Sequence, residues 1–189
     1  MRPLATILLL FATSLGLAGC APLIAGGAAT GTSVANDRRS AGTVLDDTLI
    51  KLKAEAAIAA HHSLKRSTHI DPTCIDGVVL LTGEARTRGD LDRILTIVRT
   101  LSGVRKVINQ IRIATPSTFA ARLDDSWITL RVKAALLGHG LNANRIKVVT
   151  ADRVVYLMGL VKPATAAAAA GAASRIPRVR SVVELFQYT

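Results

Sequence analysis

Aromatic residues are scarce in this 189-residue chain: Phe, Tyr and Trp together make up 3%, with a single Trp. Any core must therefore be built from Val, Ile, Leu and Ala. Cysteine is scarcer still. Only Cys20 and Cys74 occur, so no framework of disulfides staples the fold. Acidic residues are the third shortage. Thirteen Asp and Glu face twenty-four Lys and Arg, a formal net charge of +11. Such an excess suits an anionic partner, be it nucleic acid, phospholipid head groups or an acidic polymer.

Signatures of catalysis are missing as well. There is no phosphate-binding glycine loop and no nucleophile elbow. His61 and His62 fall at the end of a helical stretch, while His69 and His139 read as isolated loop residues. None has a histidine four residues on or a cysteine at zinc spacing, so neither a metal nor another cofactor is expected. Asp46-Asp47 and Asp124-Asp125 could pass for catalytic pairs. Each pair directly precedes a helical pattern, which makes capping of the helix N-terminus the simpler role. The expectation is a protein that is not an enzyme.

Long apolar runs are limited to one. Leu4 to Leu17 follow a short positive segment carrying Arg2. The run falls short of the roughly 20 residues a spanning helix needs and passes at once into small residues, as a signal peptide does. Leu17-Ala18-Gly19-Cys20 matches the lipobox of bacterial lipoproteins: leucine, two small residues, then the cysteine whose thiol takes up diacylglycerol. The expectation is cleavage before Cys20, lipidation of Cys20, and a second acyl chain on the new N-terminus. One chain binds membranes reversibly, whereas several anchor stably. Ala21 follows the cysteine where an aspartate usually marks inner-membrane retention in Gram-negative lipoproteins, which favours the outer membrane and a periplasm-facing protein. Export removes nucleic acid from the possible partners and leaves an anionic lipid surface first among them.

The mature chain of about 170 residues could form one domain or two small ones. Ala21 to Thr32, rich in Gly, Ala and Thr, reads as a flexible spacer, and Asp37 to Thr43 as polar and turn-prone. The rest of the chain contains an internal repeat. Residues Asp47–Ile113 and Asp125–Tyr188 each open with an amphipathic helical pattern, carried by Ile50, Ala54, Ala57 and Ile58 in one and Ile128, Val132, Ala135 and Leu136 in the other. Each continues with a short strand, His69–Asp71 and Arg145–Val149. A second strand ends in glycine, Gly77–Gly83 and Arg153–Gly159. A second helix spans about Arg88–Leu101 and Ala164–Ile176, the latter with Pro163 at its start and the thin alanine run Ala166–Ala170 that can lie close on a sheet. A third strand, Gly103–Ile111 and Arg178–Phe186, closes each copy. Cys74, between Pro72 and the second strand, reads as a half-buried small residue.

The α-β-β-α-β order, with Val79-Leu80-Leu81-Thr82-Gly83 and Gly103-Val104-Arg105-Lys106-Val107 in the first copy, resembles the BON domain. The second copy matches with Val155-Tyr156-Leu157-Met158-Gly159 and Arg178-Val179-Arg180-Ser181-Val182, where Arg178 stands in place of the usual glycine. Two copies behind a lipobox resemble the dual-BON-domain outer-membrane lipoproteins of Gram-negative bacteria, as do Asp37–Asp47 and Asp125–Thr129. The resemblance implies an α+β fold of two tandem domains, each a three-stranded sheet with two helices. The segments are residues 1–19 as signal peptide, 20–45 as lipidated cysteine and linker, 46–114 as the first domain, 115–123 as linker and 124–189 as the second. It further implies binding of anionic phospholipid, chiefly phosphatidylglycerol, by the second domain, and a role in envelope integrity and at the division site.

The residues supply their own case for a lipid site. On a helical wheel Trp127, Leu130, Ala134 and Leu137 form a stripe away from the inward face, with Arg131 and Lys133 on its flanks. A small α/β domain needs only one apolar face per helix. A second stripe carrying the sole Trp and bordered by cations fits a lipid interface, with the indole at head-group level. The equivalent first-domain positions, Leu49, Leu52, Ala56 and Ala59, lack the aromatic. Two other uses of the stripe stay open at this point: packing against the first domain or linker, and docking of envelope-assembly or cell-wall-regulating proteins.

Overall fold

The computed structural model describes residues 41–141 and 145–189. Cys20, the signal segment and the spacer up to residue 40 lie outside the described residues. The first repeat runs α1 (Ala41–Ala59), α2 (His62–Ser67), β1 (Thr68–Ile75), β2 (Val78–Ala85), α3 (Arg88–Arg99) and β3 (Lys106–Ile113). The second runs α4 (Phe119–Gly138), β4 (Lys147–Ala151), β5 (Val154–Val161), α5 (Pro163–Ser174) and β6 (Ser181–Tyr188). Each repeat forms its own sheet, β1-β2-β3 and β4-β5-β6. The first two strands pair antiparallel across a tight turn. The second and third pair parallel, joined by the crossover helix that parallel strands require. The expected α+β order is present twice, with the six-residue α2 as an addition.

Helix starts differ most from expectation. α1 is already helical at Ala41, inside the segment read as linker and turn. α4 begins at Phe119, inside the expected 115–123 linker, capped by Thr118, whose Oγ1 accepts the N–H of Ala121 at 3.3 Å. Asp46, Asp47, Asp124 and Asp125 are therefore not N-caps; they sit within the helices. Asp47 is buried and accepts the backbone N–H groups of Asp76 (2.8 Å) and Gly77 (2.9 Å) in the β1–β2 turn. Asp125 does the same for Asp152 and Arg153, both at 2.8 Å, in the β4–β5 turn. Each carboxylate ties its helix to a hairpin.

Strand limits differ for physical reasons. β1 continues through Pro72 to Ile75. Proline lacks an N–H, but β1 is an edge strand, so that missing donor need not face a partner. His69 thus lies in a strand, and Cys74 is a buried strand residue, not a half-buried one, whose thiol donates to Asp47 Oδ1 at 3.2 Å. β2 and β5 do not end at their glycines. They cross the first strand there: a Cβ on Gly83 would lie 1.9 Å from the His69 carbonyl oxygen, and one on Gly159 2.4 Å from that of Arg145. The third strands start three residues later than expected, at Lys106 and Ser181, because Gly103 and Arg178 form left-handed turns with φ of 89° and 75°. Arg178 keeps the glycine-like turn. β4 is likewise shifted two residues on.

Each sheet buries one face under its helices. Ile50, Ala54 and Ile58 of α1 and Leu91, Ile94 and Val98 of α3 meet Val79 and Leu81. Ile128, Val132 and Leu136 of α4 and Ala166, Ala169 and Ala173 of α5 meet Val155 and Leu157. The opposite faces meet each other: Ile75 and Leu80 form one cluster with Val149, Tyr156 and Met158. Arg112 bridges the repeats, reaching Glu84 in one and Asp152 in the other.

Candidate functional site

α4 presents two rows. Ile128, Val132 and Leu136 are fully buried on the sheet. On the outer side Trp127 is 40% exposed, Leu130 66% and Leu137 63%, with Ala134, Arg131 and Lys133 also exposed. The structure brings all six stripe residues onto one solvent-facing surface. The repeats meet through their sheets, so this row is not the contact between them. The earlier start of α4 lengthens it, because Leu123 and Phe119 continue the same row and are exposed. Their i, i+4, i+8 spacing up to Trp127 is present in the sequence, but a helix capped at Asp124-Asp125 would exclude the first two.

The charges around Trp127 come from two elements. The Arg131 guanidinium lies 5.2 Å from the ring centroid, one turn along the same helix. The Arg178 guanidinium, from the turn before β6, lies 5.9 Å from it. Both are within the range at which a cation is attracted to an aromatic face. Arg178 also pairs with Asp124 at 2.7 Å, and Arg153 Nε reaches the same carboxylate at 3.2 Å. Neighbouring Arg180 pairs with Asp152 at 2.7 Å, and that hydrogen bond and charge push its pKa above the ordinary arginine value. Neither Arg153 nor Arg178 is among the lipid-contacting residues expected from the sequence, where Arg178 stands out only as a replacement for glycine. Both occupy left-handed backbone, with φ of 62° and 75°, where the first repeat has Gly77 and Gly103. Such a conformation costs a non-glycine residue about 1–2 kcal/mol.

The first repeat lacks this arrangement. α1 exposes Leu45, Leu49 and Leu52, but without an aromatic. Among the described residues no group of three His, Cys, Asp or Glu is placed to hold a metal. A cleft of about 370 Å³ runs between the β1–β2 edge and α4–β4. It is lined by both signs of charge, including Lys51, Asp71, Glu84 and Arg122, so it does not concentrate either. No described helix is long and apolar enough to cross a membrane.

Comparison with known proteins agrees with the repeat. The profile of the BON domain matches residues 46–115 and 124–189. The chain is similar to the outer membrane lipoprotein DolP of Haemophilus influenzae, 31% identical over all of this chain and 98% of the relative. It is 31% identical to a 21 kDa hemolysin of Actinobacillus pleuropneumoniae, over 80% of this chain and 79% of that one. Similarity to the osmotically-inducible protein Y of Escherichia coli is 28% over 69% of this chain and 66% of the relative.

Proposed function

This chain belongs to the BON-domain family as an outer-membrane lipoprotein with two such domains, and on that premise we propose that it binds anionic phospholipid through α4 of the second domain. The observation that carries the proposal is the outward apolar row Phe119, Leu123, Trp127, Leu130, Ala134 and Leu137, with Trp127 held beneath Arg131 and Arg178. An amphipathic indole at head-group level, leucines reaching the acyl boundary and guanidinium groups meeting phosphate are the parts of an interfacial helix. Lipid on Cys20 fixes the protein to the periplasmic side of the outer membrane. The tether raises the local concentration of the weaker α4 contact, which then selects where on that surface the protein settles. Patches rich in phosphatidylglycerol, including those at a division site, attract it, and its contribution is to envelope integrity.

The test uses residues 20–189 with Cys20→Ser, so that no acyl chain contributes, and vesicles of phosphatidylglycerol or phosphatidylcholine. Binding to the anionic vesicles alone, weakening as salt rises and abolished by Trp127→Glu in a folded protein, is the expected result. Undiminished binding by Trp127→Glu would sink the proposal. A second reading is an adaptor for envelope-assembly or cell-wall-regulating proteins. The observation that favours it is the exposed α1 row Leu45, Leu49 and Leu52, which has no aromatic suited to a lipid interface.

A further inference from the structure

The two repeats serve as controls for each other. Gly77 and Arg153 occupy the same place: each carbonyl accepts the N–H of a strand-leading arginine, Arg105 or Arg180. Gly103 and Arg178 correspond in the same way, each two residues before that arginine. All four have left-handed backbone. The fold therefore asks for glycine at both positions, and the first domain supplies it. The second domain carries arginine at both, against the backbone preference. Strain retained at two sites by the same residue type needs a reason outside the fold.

The side chains indicate that reason. Arg153 and Arg178 converge on one carboxylate, Asp124, whose side chain is only 11% exposed. The two arginine side chains stay half exposed, at 51% and 52%. Each has five donors, and these pairings leave donors over. Arg178 in addition lies over Trp127, beside Arg131. In the first domain the matching region, bordered by Leu49, Gly77 and Gly103, is an open groove of about 470 Å³. Its cations are Lys53 and Arg105; both left-handed turn positions carry glycine instead of arginine, and no aromatic lines it.

We propose that Arg153 and Arg178 form a phosphate-gripping subsite for the head group of a membrane phospholipid, held in readiness by Asp124 and placed beside Trp127 so that indole insertion and phosphate capture occur together. This rests on the lipid reading of α4 and assigns the residues that select an anionic head group. Arginine suits the task because its planar fork pairs bidentately with phosphate oxygens. Asp124 is the resident anion. It orders the two side chains without covering their outer donors.

The test exploits the first domain's own residues. Arg153→Gly and Arg178→Gly relieve the backbone, so the fold is not put at risk by them. They are made together in an Asp124→Asn background, which avoids stranding a mostly buried carboxylate. Residues 20–189 with Cys20→Ser are titrated with phosphatidylglycerol vesicles, with phosphatidylcholine vesicles in parallel. Asp124→Asn alone is expected to bind anionic vesicles at least as well as the parent. The triple variant is expected to bind roughly tenfold to thirtyfold more weakly, with a shallower salt dependence, at an unchanged or raised thermal midpoint. Equal binding by the triple variant and Asp124→Asn overturns the inference. If Trp127→Glu abolishes binding while the triple variant retains it, the helix proposal stands and the arginine subsite falls. Failure of the parent to bind removes both. Release of the bound protein by micromolar inorganic phosphate would assign the subsite to a soluble anion and overturn its membrane role.

Discussion

Asp47 in the middle of α1 accepts the backbone N–H of Gly77, thirty residues along the chain, at 2.9 Å. The carboxylate is buried and also accepts the N–H of Asp76. A buried carboxylate holding two amide donors contributes well beyond an ordinary hydrogen bond. Asp47→Ala strands both donors and is expected to cost about 3 kcal/mol in urea unfolding. Asp47→Asn, which keeps one acceptor, should cost about half that. Asp125→Ala, at a less buried copy of the same tie, should cost less than Asp47→Ala.

Gly83 and Gly171 predict opposite signs for the same substitution. A Cβ on Gly83 meets the His69 carbonyl at 1.9 Å on a backbone of φ 110°, so Gly83→Ala must separate β1 from β2. A loss of about 3 kcal/mol or more is expected. Gly171 lies inside α5 with nothing within 4 Å of an added Cβ. Gly171→Ala should gain about 0.5–1 kcal/mol through helix propensity, read as a raised thermal midpoint.

Tyr156 lies in the cluster between the two sheets. Burial pushes its pKa above the ordinary 10.0, partly opposed by the Arg112 charge and reinforced by Asp152. A phenol with a raised folded pKa favours folding while it is protonated. Its contribution is complete below the ordinary value of 10.0 and fades as pH rises through the folded value. Stability should therefore fall as pH rises from 10.0 towards the folded value in the parent and fall less steeply in Tyr156→Phe, as followed by denaturant midpoints across the range.

The outer rows of α4 and α1 can be told apart by charge insertion. Leu130→Asp and Leu137→Asp, at exposed positions, should leave the fold intact and weaken binding to phosphatidylglycerol vesicles roughly tenfold or more each. Leu52→Asp, also at an exposed position, on α1, should leave vesicle binding unchanged. A comparable loss from Leu52→Asp would show that both helices touch lipid.

Much of the fold was legible locally. Ile128, Val132 and Leu136 recur at helical spacing, and all three are buried. The alanine run of α5 does lie on its sheet through Ala166, Ala169 and Ala173. Paired aspartates before a helical pattern look like caps, whereas Asp47 and Asp125 lie inside their helices and serve turns some thirty residues distant. The sheet-to-sheet packing had a signal of its own in the chain. Val154-Val155-Tyr156-Leu157-Met158 is apolar at every position rather than alternating, as in a strand buried on both faces.

By itself the sequence determined the repeat, the order of elements in each copy, the inward helix faces and the existence of a second stripe around Trp127. Those follow from periodicity and turn residues, which act over a few positions. Only the tertiary structure decided what surrounds that stripe. Arg153 and Arg178 come to Asp124 and Trp127 across separations of about thirty to fifty residues, by way of two turns that happen to face α4. No local pattern encodes that meeting, because it depends on how a hairpin and a crossover helix close around one sheet. The same closure turned the sheets toward each other and left the Trp127 row facing outward.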